Sequence, residues 1–209
     1  MKKILCMVLL MGFIAQGLAA IDAGVGISAS GNVRKTSDYL GSAQEELSDW
    51  GFFVYVNTDF LLLEVGYCSL LDGLNKINGV TLTTWDKEAK QSYLDLAAYF
   101  KYPFVYRYDR EIYPLIGMSY KHLLAKENRY GADQIPAMPQ LVRDDYNQLW
   151  LKFGIGAGQV TDMFYTRAEL VGGYRFKTEA MRKDLDATPY NVKYSAWGAD
   201  FKVMIGVRL

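Results

Sequence analysis

The stretch "FKVMIGVRL", residues 201–209, alternates without a break. Phe201, Val203, Ile205, Val207 and Leu209 are apolar, and Lys202, Met204, Gly206 and Arg208 stand between them. Successive side chains of a strand point to opposite faces, so this is a strand with one wholly apolar face and one basic, small-residue face. Upstream, Trp197 and Ala199 continue the apolar set, while Gly198 and Asp200 continue the other.

The same pattern recurs along the chain, giving eight alternating segments in all. In residues 21–30, Ile21, Ala23, Val25, Ile27 and Ala29 alternate with Asp22, Gly24, Gly26, Ser28 and Ser30. Residues 61–68 set Leu61, Leu63, Val65 and Tyr67 against Leu62, Glu64, Gly66 and Cys68. Residues 93–102 set Leu94, Leu96, Ala98, Phe100 and Tyr102 against Tyr93, Asp95, Ala97, Tyr99 and Lys101. Ile116, Met118 and Tyr120 oppose Gly117, Ser119 and Lys121, and Leu149 to Ala157 oppose Trp150, Lys152, Gly154 and Gly156. Phe164, Ala168, Leu170 and Tyr174 oppose Arg167, Glu169, Gly173 and Arg175. Only "WGFFVYVN", residues 50–57, is ambiguous, because Phe53 and Tyr55 are as apolar as Phe52, Val54 and Val56.

The connections alternate too. Segments 57–60 and 159–162 are tight and 105–111 is somewhat longer, whereas 31–49, 71–89, 125–146 and 177–192 read as long polar loops. Short turns at one end and long loops at the other predict an all-β fold: an eight-stranded antiparallel up-and-down transmembrane β-barrel.

Three features put the apolar face outside. Glycine is concentrated on the charged face, at Gly24, Gly26, Gly66, Gly117, Gly154, Gly156, Gly158, Gly173, Gly198 and Gly206. A solvated face has no need of glycine, but the lumen of an eight-stranded barrel is barely wide enough for its own side chains. The apolar face is almost free of charge, as a lipid face must be. Aromatic residues bracket the apolar stretches: Phe60, Phe100, Tyr102 and Phe164 toward the short turns, and Trp50, Tyr67, Tyr120, Tyr174 and Trp197 toward the long loops. The ten residues from Phe164 to Tyr174, at about 3.4 Å each and a tilt near 40°, span about 26 Å of height, which matches the apolar band of such barrels.

The N-terminus, "MKKILCMVLLMGFIAQGLAA", has two lysines, a short apolar run and small residues near its end. It reads as a secretory signal peptide over residues 1–20, leaving a barrel over residues 21–209. Without Lys2 and Lys3 the 23 basic residues fall to 21 against 23 acidic, a net charge of −2 that offers no field for nucleic acid. The remaining cysteine, Cys68, has no intrachain partner for a disulfide.

The signal sequence, eight alternating segments, unequal connections and apolar closing strand resemble the small outer-membrane β-barrel superfamily, the OmpA-, OmpX- and OmpW-like proteins, over residues 21–209. In that family the last strand is read by the barrel-assembly machinery. The resemblance therefore implies an assembly signal in Phe201, Val203, Ile205, Val207 and Leu209, although the family usually ends in Phe or Trp. It also implies outer-membrane lipid as surroundings, and the assembly machinery and periplasmic chaperones as partners during biogenesis.

The topology predicts a lumen lined by Asp22, Glu64, Asp95, Glu169 and Asp200 against Lys101, Lys121, Lys152, Arg167, Arg175, Lys202 and Arg208. Buried charges must pair, so the expectation is a salt-bridge network filling the barrel of a structural or surface-binding, adhesin-like protein. The alternative is a narrow porin-like channel for small solutes or small hydrophobic molecules, weakly anion-preferring because of the basic excess. Arg167 and Glu169 share a face two residues apart, and cross-strand partners are open to both. Loops such as "KENRYGADQIPAMPQLVRDDY", residues 126–146, are where an extracellular or host ligand is expected.

Some barrels of this size that process lipid A use a His–Ser–acid set. Here the single histidine, His122, and Ser119 point to opposite faces of one strand, which excludes a nucleophile–base pair between them. Neither an enzymatic role, a cofactor nor a metal site is expected: the HExxH, CxxC, EF-hand and phosphate-loop patterns do not occur after residue 20.

Overall fold

The computed structural model describes residues 21–37, 41–77, 80–82, 91–102, 104–107, 109–126, 147–161, 163–177 and 193–208. The signal-peptide reading of residues 1–20, the tips of the long loops and the terminal Leu209 lie outside the described residues.

The strands are β1 (Asp22–Ser37), β2 (Ser42–Asn57), β3 (Leu61–Ile77), β4 (Val80–Leu82), β5 (Gln91–Lys101), β6 (Val105–Arg107), β7 (Arg110–Lys126), β8 (Gln148–Thr161), β9 (Phe164–Arg175) and β10 (Lys193–Arg208). Each long strand pairs antiparallel with its neighbours in sequence, and β10 pairs with β1 from Asp22↔Arg208 to Ser37↔Lys193. The result is a closed eight-stranded up-and-down barrel; β4 and β6 are short additions that pair with β3 and β7. Closure removes every free edge among the long strands, so their backbone groups are satisfied by neighbours all the way round.

Alternation translates directly into two surfaces. On the outside, Val25, Ile27, Phe52, Val54, Ile155 and Leu170 are each more than half exposed, as are Phe201 and Ile205 of the closing strand. On the inside, Lys101, Lys152, Arg167 and Glu169 are nearly fully buried. The ambiguous segment resolves with Phe53 and Tyr55 inward and Phe52, Val54 and Val56 outward.

Two boundaries differ from the sequence reading. Segment 31–49 is mostly strand rather than loop, because β1 runs to Ser37 and β2 begins at Ser42. The pair therefore continues for the eight residues Ser30–Ser37 beyond the row of Ala29 and Trp50, about 21 Å of further height at the same rise and tilt. Likewise β3 continues to Ile77 and turns back through β4, so part of segment 71–89 is a hairpin. In segment 105–111, Val105–Arg107 folds back on β7.

Glycines admit the large lumen side chains. A Cβ on Gly66 would lie 2.6 Å from Phe53 Cβ, and one on Gly156 would run into the Tyr113 ring.

Candidate functional site: a charge-filled lumen

The twelve lumen charges expected from sequence all sit on the inner face, and the structure adds two acids. Asp49 on β2 and Glu111 on β7 are both buried. Both lie in segments read as connections, where no apolar outer face marks the alternation. Among the described residues the count changes from five acids against seven bases to seven against eight: Asp22, Asp49, Glu64, Asp95, Glu111, Glu169 and Asp200 face Arg34, Lys101, Lys121, Lys152, Arg167, Arg175, Lys202 and Arg208. Arg34 lines a cavity near Trp150 and Arg175 toward the outer mouth. The basic excess behind the anion preference of the channel reading thus narrows from two charges to one.

The pairs form tiers. Nearest the short turns, Arg208 Nε donates to Asp22 Oδ1 at 3.1 Å, and Asn57 Nδ2 donates to Asp22 Oδ2 at 3.0 Å. Lys101 Nζ meets Glu111 at 3.0 Å, and Tyr165 donates to the same carboxylate. Above them Arg167 takes both of the options left open by the sequence. Its Nη1 lies 3.6 Å from Glu169 Oε1 on its own strand and 3.2 Å from Asn57 Oδ1. The guanidinium is ringed by Tyr55, Tyr165 and Tyr113 at 4.9, 5.0 and 5.8 Å from their centroids, and Tyr113 donates to Glu169 at 2.7 Å. A ring of π faces is a favourable seat for a desolvated cation.

At mid-height Lys202 donates to Glu64 and, at 2.9 Å, to Tyr99, while Lys152 pairs with Asp200. Toward the long loops Lys121 meets Asp49 at 2.9 Å, and Ser30 and Asn32 donate to the same carboxylate. Arg175 Nη2 donates to the carbonyl of Asn147 at 3.4 Å. Six acids thus have a close basic partner. Asp95 differs: its Oδ1 has no hydrogen-bond partner among the described residues. It lines a cavity of about 20 Å³ with Glu64, Asp200, Lys121 and Lys202, room for about one water. A second cavity of the same size lies near Trp150 and Arg175.

The tyrosine ring was not anticipated as a unit. Tyr55 falls in the ambiguous stretch 50–57, and Tyr113 and Tyr165 sit close to the short turns. Cys68 is a buried free thiol packed with Tyr93 and Leu123. His122 stacks on Tyr120 on the outer face, whereas Ser119 is buried inside, so the two are kept apart. Among the described residues, no group of three or more His, Cys, Asp or Glu is placed to hold a metal ion. Among the same residues no helix is long and apolar enough to cross a membrane, which says nothing about crossing by strands.

No protein-family model matches the chain, and a comparison with curated proteins finds no match. Solved structures do resemble it. Neisserial surface protein A is similar at 16% identity and a TM-score of 0.45, over 88% of this chain and 97% of its own. Ail, the attachment invasion locus protein of Yersinia pestis, is similar at 9% identity and a TM-score of 0.34, over 92% of this chain and 100% of its own. The outer membrane protease OmpT from Escherichia coli is similar at 9% identity and a TM-score of 0.32, over 90% of this chain and 96% of its own. Likeness at this level carries no role over to this chain.

Proposed function

We propose that the chain is an integral outer-membrane β-barrel with a closed, charge-filled lumen, acting as a structural or surface-binding protein rather than as an open pore. The single observation that supports it most is the combination of faces: large apolar side chains around the outside and, among the described residues, seven acids and eight bases inside. That is the reverse of a barrel standing in water, where charges face out and apolar residues fill the core. In lipid the same surface is the favourable one, and a closed barrel is one of two ways a chain can span it with its backbone satisfied.

Four tiers of ion pairs and two cavities of about 20 Å³ favour a plug over a continuous water column. The long β1–β2 extension favours a surface role, because it carries the loop beyond the headgroups on a rigid ladder.

Conductance of the refolded full-length chain in planar bilayers tests the closed lumen. The expected result is insertion without resolvable single-channel steps; steady ohmic steps would refute it. The membrane assignment is checked by folding into lipid vesicles with a heat-sensitive shift in gel mobility. A chain that folds to a monomeric β protein in plain buffer would overturn it.

A further inference from the structure

The outer wall is not uniform. On β7, β8, β9 and β10 the outward residues form rows across paired strands. One row reads Arg110, Gln159, Thr166, Ile205; the next reads Ile112, Ala157, Ala168, Val203; the third reads Pro114, Ile155, Leu170, Phe201. The middle row drops to two alanines between bulkier neighbours, and Ile155, Leu170 and Phe201 above them are 52%, 58% and 53% exposed. The dip is a groove of about 820 Å³ whose lining includes Arg110, Gln159, Ala157, Thr166, Ala168 and Val203.

Its polarity is graded. At the rim, beside the β6–β7 turn, Arg110 and Asp109 form an exposed pair at 3.5 Å. In the same row stand an amide and a hydroxyl, Gln159 and Thr166, and on the side away from the short turns the surface is apolar. Phe60, Phe100, Tyr102 and Phe104 mark the short-turn end of the wall elsewhere, and Phe164 marks it on β9, next to the polar row of Arg110, Gln159 and Thr166.

We propose that this groove holds one phospholipid of the leaflet facing the short turns, with a zwitterionic ethanolamine headgroup. The inference rests on the membrane reading above. The Arg110 guanidinium takes the phosphate and the Asp109 carboxylate the ammonium, so the pair at the rim complements both charges of the headgroup. Gln159 Nε2, in the same row, donates to a glycerol ester carbonyl, while Thr166 Oγ1 donates to the Gln159 backbone carbonyl at 3.4 Å. An acyl chain lies over Ala157 and Ala168, where it fills space that other outward positions fill with their own side chains. Charge and donors share one row and the apolar floor lies next to it, as a phospholipid sets its polar head beside its chains.

The test uses the refolded full-length barrel in detergent, titrated with dioleoyl phosphatidylethanolamine and read by native mass spectrometry. The expected result is one lipid retained after the detergent is stripped. Ala157→Phe, which fills the floor, is expected to cut the retained fraction about tenfold. Arg110→Gln is expected to cut it about threefold, since the headgroup contact is solvent-exposed. Ala98→Phe, on β5 outside the groove, leaves it unchanged and controls for folding, as does the heat-sensitive gel shift of every variant. Equal retention by Ala157→Phe and wild type overturns the proposal. So does a dimer that Ala157→Phe dissolves, which would assign the groove to a second copy. Insertion into vesicles with no retained lipid overturns this inference alone, whereas failure to insert overturns the membrane reading with it.

Discussion

Replacing Lys202 with methionine isolates what one lumen pair contributes. The ammonium donates to Glu64 and to Tyr99, with both Lys202 and Glu64 side chains 6% exposed. It also lies 4.4 Å from the Tyr99 centroid and 5.5 Å from that of Phe53. Methionine keeps most of the apolar stem and loses the charge, so the packing change is small. Glu64 is then a buried carboxylate without its cation, and its Oε1 already lacks a hydrogen-bond partner among the described residues. Removing one member of a buried pair costs about 3–5 kcal/mol. With a urea dependence of about 2 kcal/mol per molar, the unfolding midpoint falls by about 2 M. The assay is urea unfolding of the barrel in lipid vesicles, followed by tryptophan emission and by the gel shift. The double variant Lys202→Met/Glu64→Gln removes the orphaned charge and recovers more than half of the loss, because a neutralised pair no longer bears desolvation of a lone ion. A single-variant cost under about 1 kcal/mol, or a double-variant cost equal to the sum of the two singles, would refute the reasoning.

Asp95→Asn is expected to be neutral or stabilising by about 1 kcal/mol in the same assay, since it removes a buried charge with an unpartnered oxygen; a loss above about 2 kcal/mol would show that Asp95 is held by a partner. Gly156→Val places a branched side chain against the Tyr113 ring, which is hydrogen-bonded to Glu169; a loss of about 3 kcal/mol or failure to fold is expected, and an unperturbed midpoint would contradict the packing. Leu170→Arg, on the exposed apolar wall, costs about 2–4 kcal/mol in a bilayer and falls toward zero if that wall faces water; comparison of vesicle and mild-detergent midpoints reads the difference.

Face assignment was legible wherever the outer side of a strand is apolar throughout and the inner side is not. It failed to extend to Asp49 for the same reason. Above the row of Trp50 both sides of β2 meet polar surroundings, Ser48 and Glu46 replace apolar outer residues, and period two disappears from the composition although the strand continues. Glu111 was hidden by its closeness to the β6–β7 turn. Partner identity was not legible at all, since Lys202 and Glu64 are 138 residues apart and meet only across a closed lumen. Phe53 and Tyr55 were ambiguous because tight barrels fill the lumen with aromatic bulk wherever glycine leaves room.

The distribution of pairs over strands bears on how the barrel matures. Asp200, Lys202 and Arg208 all belong to β10, and they satisfy Lys152, Glu64 and Asp22 on β8, β3 and β1. A chain shortened by one strand would leave three buried ions stranded as well as two open edges. Each such ion carries a penalty of several kcal/mol, so incomplete barrels are unstable in proportion to what they lack. The lumen chemistry thus acts as a completeness check, in which the last strand to arrive makes the preceding seven worth folding.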